Sequence, residues 1–279
     1  MLQNSYDGKP TLYLISTPIG NLDDITYRSV KILNDVDVIF SEDTRVTLNL
    51  LNYLGINKKL IALHEHNEDM AKEKVLEYLK NGNNIALVTD RGTPIISDPG
   101  YKTVKYITDN DYNVVALPGP TAFVPALITS GLAPQPFLFY GFLDSKDSLK
   151  RSELERLSDE EETIIFYEAP HRIIRTLNMI LDIFGDRNIS ISREISKKFE
   201  TIYRGKISDV INIIPEKGEF VIIVEGVKDK IVDNNITIKD AVDNYIRTGF
   251  DVMTSIKKVA KDRNVPKNVI YKEYHKEDN

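Results

Sequence analysis

Ile85-Ala86-Leu87-Val88-Thr89-Asp90-Arg91-Gly92-Thr93-Pro94-Ile95-Ile96-Ser97-Asp98-Pro99-Gly100-Tyr101 is the stretch on which the reading of this 279-residue chain turns. It opens on a short apolar run, Ile85 to Val88, of the kind that is buried on both faces in a parallel sheet. It closes on a helix start, with Asp98 as N-cap and Pro99 at the first helical position, where a missing N–H costs nothing. The loop between them, Arg91 to Ser97, holds too much glycine, threonine and proline for regular structure. Ligands of open α/β sheets bind at the carboxyl ends of the strands, so strand, bare loop and helix start together mark a binding place.

Working outward, the same alternation recurs. Thr11 to Ser16 is a first strand running into Thr17-Pro18-Ile19-Gly20-Asn21, and Asp24 then caps a helix to about Asn34. Asp37 to Ser41 is a strand ending in Glu42-Asp43-Thr44-Arg45, followed by a helix that Gly55 stops in the left-handed conformation. Lys59 to Leu63 is a strand and Glu68 to Lys80 a helix. After the central stretch, Asn113 to Leu117 is a strand leading into Pro118-Gly119-Pro120-Thr121-Ala122. An interdomain hinge is expected between Pro118 and Pro136.

The second half continues with a strand at Phe137 to Phe142, a helix around Ser148 to Leu157, a strand at Thr163 to Tyr167 and a helix at Pro170 to Phe184. Further strands follow at Ile189 to Arg193 and Phe220 to Val224. The expected fold class is α/β: two α/β lobes with a ligand cleft between them, with some antiparallel pairing in the second, plus a small helical extension. The expected bounds are 1–118, 119–228 and 229–279.

Composition narrows the function classes. A hydrophobic content of 42% with 28% charged residues describes a globular protein rather than a disordered one. No apolar run reaches membrane-spanning length and the N-terminus is polar, so a cytoplasmic location is the default expectation. The absence of cysteine excludes disulfides and thiolate chemistry, and four histidines leave little for a metal centre, so none is expected. A net charge of −6 argues against nonspecific wrapping of nucleic acid. The tail differs: Thr254 to Lys276 holds seven Lys or Arg against two acids, about +5, against about −11 elsewhere. Its two short helices, Met253 to Arg263 and Pro266 to His275, read as a helix-turn-helix unit that either docks in solvent or contacts RNA. On the RNA reading, Lys257, Lys258, Lys261, Arg263 and Lys267 make the contact.

Three strand ends, Asp98-Pro99, Gly119-Pro120-Thr121 and Ala169-Pro170-His171, place proline at a helix opening, which is common structurally. Their recurrence, with Thr17-Pro18-Ile19-Gly20 as a fourth loop, points to a shared cleft. The chain has no Gly-x-Gly-x-x-Gly after its first strand and no Gly-x-x-x-x-Gly-Lys-Ser/Thr, which removes the two commonest phosphate cradles and disfavours a dinucleotide oxidoreductase. Glu42, Asp43 and Arg45 either orient a substrate or cap and pair the next helix. Tyr167, Glu168, His171 and Arg172 form a polar cluster on a strand-to-helix turn, where Glu168 and His171 are placed to tune each other's pKa. The run from Arg193-Glu194 to Lys197-Lys198 offers cations for a phosphate backbone, or a salt-bridged strand edge.

Read together, six ordered motifs resemble one family: Leu14 to Leu22, Ser41 to Arg45, Asp90 to Gly100, Leu117 to Ala122, Phe166 to Arg172 and Arg193-Glu194. The chain resembles the cytidine 2′-O-methyltransferases of small-subunit ribosomal RNA, within the tetrapyrrole methylase superfamily, over roughly Thr11 to Val227. The resemblance implies lobes of the tetrapyrrole methylase type, a homodimer, and S-adenosylmethionine as methyl donor with no metal. It also implies that the target is a cytidine ribose in the decoding region of the small ribosomal subunit, as free RNA or assembled subunit. It places the donor at Pro18, Gly20, Asp90, Gly92, Thr93, Pro94, Gly119, Thr121, Ala122, Tyr167 and Ala169. Glu168, His171, Arg172, Arg193 and Glu194 would line the acceptor side, with Glu42, Asp43 and Arg45 as further catalytic candidates. Arg91 departs from the pattern, standing where a small residue is expected; Ser41 for cysteine and Thr121 for serine are milder departures. Rival readings are a precorrin-type tetrapyrrole methyltransferase and a non-enzymatic RNA- or ribosome-binding protein.

Overall fold

The apolar runs before Pro118 become one parallel sheet. Its strands are β1 (Thr11–Ile15), β2 (Val38–Ser41), β3 (Lys59–Ala62), β4 (Ile85–Val88) and β5 (Asn113–Leu117), in the order β3-β2-β4-β1-β5. Helices α1 (Tyr27–Asp35), α2 (Thr44–Leu54), α3 (Glu68–Lys80) and α4 (Tyr101–Asp109) connect them. All four residues of β2 and of β4 are buried, as continuous apolar runs in a sheet covered on both faces require. Phe40, fully buried among Leu12, Leu63 and Val75, stabilises this layer by about 1.5–3 kcal/mol.

This computed structural model describes residues 3–5, 7–227, 236–247, 250–263 and 265–276. After α5 (Phe123–Thr129) comes a second five-stranded sheet, ordered β6-β7-β10-β8-β9. Here β6 (Phe137–Phe142) and β7 (Thr163–Glu168) are parallel, whereas β10 (Phe220–Val224) runs antiparallel to β7 and to β8 (Asn188–Arg193). The edge strand β9 (Thr201–Lys206) pairs antiparallel with β8. Helices α6 (Asp147–Leu157), α7 (Ile173–Phe184) and the short α8 (Ile207–Ile211) pack their apolar faces on this sheet through Leu154, Leu157, Leu177, Ile180 and Val210. Met1–Gly226, with both sheets, is one compact unit and Val227–Asn279 a second. The second unit is a three-helix cluster, α9 (Ile238–Arg247), α10 (Val252–Asp262) and α11 (Lys267–Tyr274), around Val242, Ile256, Val259 and Ile270.

Several local expectations are corrected. The cap of α1 is Thr26, which accepts the Ser29 N–H at 3.1 Å, because Asp24 sits in a preceding 3-10 turn and takes the Ser196 hydroxyl instead. Asp98 does not cap α4; the helix begins at Tyr101 after Gly100, whose φ of +125° frees the chain to turn before the helix. Pro120 and Pro170 likewise lie ahead of their helices, which start at Phe123 and Ile173, so the residues between are loop backbone. The strand β9 was unexpected because its exposed edge breaks the apolar alternation, and α9 adds a third helix to the expected pair.

Candidate functional site

The connections leaving β1 and β4, the two central neighbours of the first sheet, run in opposite directions, one to β2 and the other to β5. Connections that leave neighbouring strands for opposite faces of the sheet, α1 on one and α4 on the other, leave a crevice at the carboxyl ends of the strands. Here the crevice is stitched by polar contacts. Thr17 and Gly92 exchange backbone hydrogen bonds of 2.8 and 3.0 Å, and the Thr17 hydroxyl donates to Thr89 O at 3.1 Å. Thr93 Oγ1 donates to Pro120 O at 3.0 Å and lies 3.1 Å from Ser16 Oγ. Three loops, after β1, β4 and β5, are thereby held as one rigid rim.

That rim faces the ends of β6, β7 and β10 across a cavity of about 370 Å³, a volume suited to a small organic ligand. Gly92, Thr93, Asp98, Thr121 and Ala122 wall it from one side, and Phe142, Tyr167, Glu168, Ala169 and Val221 from the other. Gly92 adopts φ +82°, and a Cβ there would lie 3.3 Å from Ile19 Cγ2, so the position favours a bare backbone. The loop also holds Ile95 and Ser97 at φ 76° and 66°, left-handed values that non-glycine residues adopt at a cost and that concentrate at ligand sites.

The wall is electrically acidic. Asp98, half-buried, has its pKa pushed up to about 7 by burial and by the nearby Glu42 carboxylate, against a hydrogen bond from Thr89 that opposes the rise. Burial raises Asp90 as well, although it accepts the Asp43 N–H at 2.9 Å. The cation in the wall, Arg91, is paired with Glu219, which also accepts Lys197 Nζ at 2.8 Å. Burial raises the Tyr167 hydroxyl, which is engaged with Thr121 and the Phe123 backbone.

Glu168 is the most tightly held group in the site. Its Oε1 accepts Ala169 N–H at 2.8 Å and Arg172 Nε at 2.8 Å; its Oε2 accepts the Thr176 hydroxyl and lies 3.5 Å from Lys150 Nζ. Lys150 is completely buried and donates to Thr176 Oγ1 at 2.7 Å. Glu168 therefore fixes the turn that presents Ala169 and Pro170 to the cavity.

The expected donor residues divide. Gly92, Thr93, Thr121, Ala122, Tyr167 and Ala169 line the cavity, whereas Pro18, Gly20, Asp90, Pro94 and Gly119 are outside its wall. Pro18 and Pro94 are buried beneath the rim. Gly119 abuts the first loop, since a Cβ would meet Ser16 Cβ at 2.7 Å. Of the catalytic candidates Glu168 alone reaches the wall. Asp43 caps α2 and pairs with Arg45 at 2.6 Å, the structural one of its two readings. Arg193 holds Lys217 O at 2.5 Å, and Glu194 takes Lys197 Nζ at 2.9 Å. His171 is exposed, while Glu168 is turned inward to Arg172, Thr176 and Lys150.

In the tail, Lys257 and Lys267 are exposed, while Lys258 lies over Phe250 at 4.4 Å and Arg263 Nη2 is bound to Ile236 O. Those two are packing groups, and the Lys261 side chain lies outside the described residues. Sequence reasoning missed Asp98 and Lys150 as site groups. Lys150 was legible: it stands four before Leu154 and seven before Leu157, on the buried stripe of α6. Among the described residues no group of three or more His, Asp or Glu could hold a metal ion, and no helix is long and apolar enough to cross a membrane.

Comparison with known proteins places this geometry. Residues 11–211 match the family of tetrapyrrole (corrin/porphyrin) methylases. The chain is 48% identical to the ribosomal RNA small subunit methyltransferase I of Bacillus subtilis (strain 168), with 98% of each chain covered. It is 43% identical to the protein of that name from Halalkalibacterium halodurans over 99% of each, and 43% identical to that of Escherichia coli O157:H7 over 81% of each. Among solved structures it is similar to the uroporphyrin III C-methyl transferase of Thermus thermophilus, with a TM-score of 0.56 at 15% identity, covering 76% of this chain and 96% of that one. At that identity the likeness concerns the fold alone.

Proposed function

This chain belongs to the tetrapyrrole methylase family, and we propose that it transfers a methyl group from S-adenosylmethionine to the ribose 2′-hydroxyl of a cytidine in the decoding region of small-subunit ribosomal RNA. The relatives' names support ribosomal RNA as the substrate class, and the motif resemblance supports the cytidine ribose, a homodimer and a cytoplasmic setting. The observation that carries the reading is the cavity in which the bare backbone of Gly92 and the carboxyl of Asp98 share one wall. S-adenosylmethionine supplies a methyl group on a positively charged sulfur, and an acidic, uncharged-to-anionic wall is complementary to it.

The protein's part is alignment and proton removal. The rim loops at Gly92-Thr93 and Thr121-Ala122 hold the donor from one side, and Tyr167 and Ala169 from the other. Asp98 sits in the wall with its pKa at about 7, matched to accepting the acceptor hydroxyl's proton near neutral pH. Glu168, held by the Ala169 N–H, Arg172 and Thr176, keeps the Ala169 turn in place.

Labelled methyl transfer to undermethylated small subunits, with mass spectrometry of the released nucleosides, tests the proposal. 2′-O-methylcytidine is the expected product; a methylated base, or transfer only to a porphyrin-like ring, overturns it.

A further inference from the structure

The two segments that wall the cavity continue past its rim. Ile19 and Ile195 face the cavity, and the residues that follow each, Gly20 to Asp23 and Ser196 to Lys198, line an open groove of about 600 Å³ with Tyr53 of α2 at its side. The groove therefore lies next to the cavity along the same two segments.

The second segment is held in an unusual shape. Glu194 and Ser196 are left-handed, at φ 54° and 68°, and Ile195 between them lines the cavity while Lys197 and Lys198 line the groove. Lys197 is a strut: its Nζ lies 2.9 Å from Glu194 Oε1 and 2.8 Å from Glu219 Oε2. Gly20 gives its stem room, since a Cβ there would lie 2.2 Å from Lys197 Cγ. Lys198 is exposed, with its ammonium 5.7 Å from the centre of the Phe199 ring. Phe199 is 65% exposed and Tyr53 59%.

Exposed aromatic faces, a cation beside them and an open track are the combination by which proteins hold single strands, through base stacking and phosphate contact. A base still paired in a duplex has both faces covered, so an aromatic platform is of use only to an unpaired one. Asp23 on the opposite wall disfavours a phosphate there and can accept a base amino group, which assigns the backbone to the Lys198 side.

We propose that this groove holds the nucleotide next to the acceptor on a single RNA strand, its base on Tyr53, its phosphate at Lys198 and Phe199 as a second platform. The inference rests on the RNA substrate proposed above and adds where the neighbouring nucleotide lies.

The test is fluorescence anisotropy with a labelled single-stranded oligoribonucleotide at two salt concentrations. It compares the full chain, a Tyr53→Ala/Lys198→Ala double variant and Phe199→Ala, with calorimetry of S-adenosylmethionine binding in parallel. The double variant should lose at least tenfold in RNA affinity, with a salt slope shallower by about 0.7, and Phe199→Ala severalfold, while donor affinity and melting stay as in the parent. RNA affinity within twofold of the parent in both variants overturns the groove, as does a change in oligomeric mass with RNA affinity intact, which would mark the face as a protein interface. A parent chain that binds donor but no single-stranded RNA overturns the groove alone. One that binds RNA but no donor, with the variant losses as expected, overturns the donor reading and keeps the groove.

Discussion

The buried Lys150 permits a sharp stability prediction. Its side chain and that of Glu168 are both fully buried, and Thr176 Oγ1 lies 2.7 Å from the ammonium. Replacing it by methionine keeps the volume and removes the charge. Breaking a buried pair by deleting one partner costs about 3–5 kcal/mol, because the other charge is left uncompensated. Here Glu168 keeps Arg172, whose Nη2 lies 2.7 Å from Oε1 and which is only 19% exposed, so Lys150→Met is expected to fall below that range, at about 2–3 kcal/mol. For a unit of this size each kcal/mol lowers the melting temperature by about 2–4 °C, which gives a drop of roughly 5–10 °C in scanning calorimetry. The companion variant Lys150→Met/Glu168→Gln removes both charges and should melt above the sum of the single effects by about 1–3 kcal/mol of coupling. A single variant melting within about a degree of the parent, or strict additivity of the pair, refutes the account of the network.

Four further outcomes follow from the structure. Asp98, raised from 3.8 to about 7, keeps its proton in the folded chain where the unfolded chain has lost it. Stability therefore falls as pH rises from about 4 to about 7 and stays lower above. At about 1.4 kcal/mol per pKa unit, discounted for the water that reaches a half-buried group, Asp98→Asn should stabilise the protein by about 1–2 kcal/mol at pH 8 and hardly at all at pH 4; denaturant curves showing equal effects at both pH values would contradict this. Gly92→Ala forces an alanine to φ +82° with its Cβ 3.3 Å from Ile19, costing about 1–2 kcal/mol, and calorimetry should show donor affinity down by about tenfold; unchanged affinity would remove this loop from the donor site. In the tail, changing exposed Lys257, Lys267 and Lys272 to alanine should lower the salt slope of RNA binding by about 2 without affecting melting. Lys258→Ala should instead loosen the helical unit by about 0.5–1 kcal/mol, since its ammonium lies over Phe250 and Tyr245.

The sequence made the scaffold readable wherever burial was two-sided. Ile85 to Val88 and Phe220 to Val224 are strands because no polar residue interrupts them, and Gly55 ends α2 at φ +69° as its position after an apolar stripe requires. The β9 edge was hidden because a strand with one partner and an exposed face needs little apolar alternation. Helix α9 carried a usable signal, Ile238, Val242, Tyr245 and Ile246 at helical spacing, that was passed over among its charges. The site was harder for a specific reason: Asp-Pro-Gly has the same local propensities whether the aspartate caps a helix or faces a cavity. Which it does is decided by Glu42, Thr89 and Asp90, which the fold brings beside Asp98. Likewise Glu168 and His171 are near in sequence, but the turn sends one into the core and the other to solvent.

The distribution of charge constrains how a polyanion can meet this site. With Glu42 and Asp90 beside the wall carboxyl of Asp98, and Arg91, the cation in the wall, already paired to Glu219, a phosphate brought into the cavity would meet acidic groups and no unpaired cation of the wall, at short range where solvent screens least. A sulfonium is favoured in the same field. On the proposed reaction, then, RNA is admitted by its sugar rather than by its backbone. The phosphates run outside, where Lys198 is exposed, and the 2′-hydroxyl alone reaches the carboxyl of Asp98. Arg91 stands where the two regimes meet. Replacing it by alanine frees Glu219 and makes the rim more acidic, so RNA should bind more weakly while donor affinity holds or rises. If anisotropy and calorimetry move the other way, the charge of the rim is not what separates donor from acceptor.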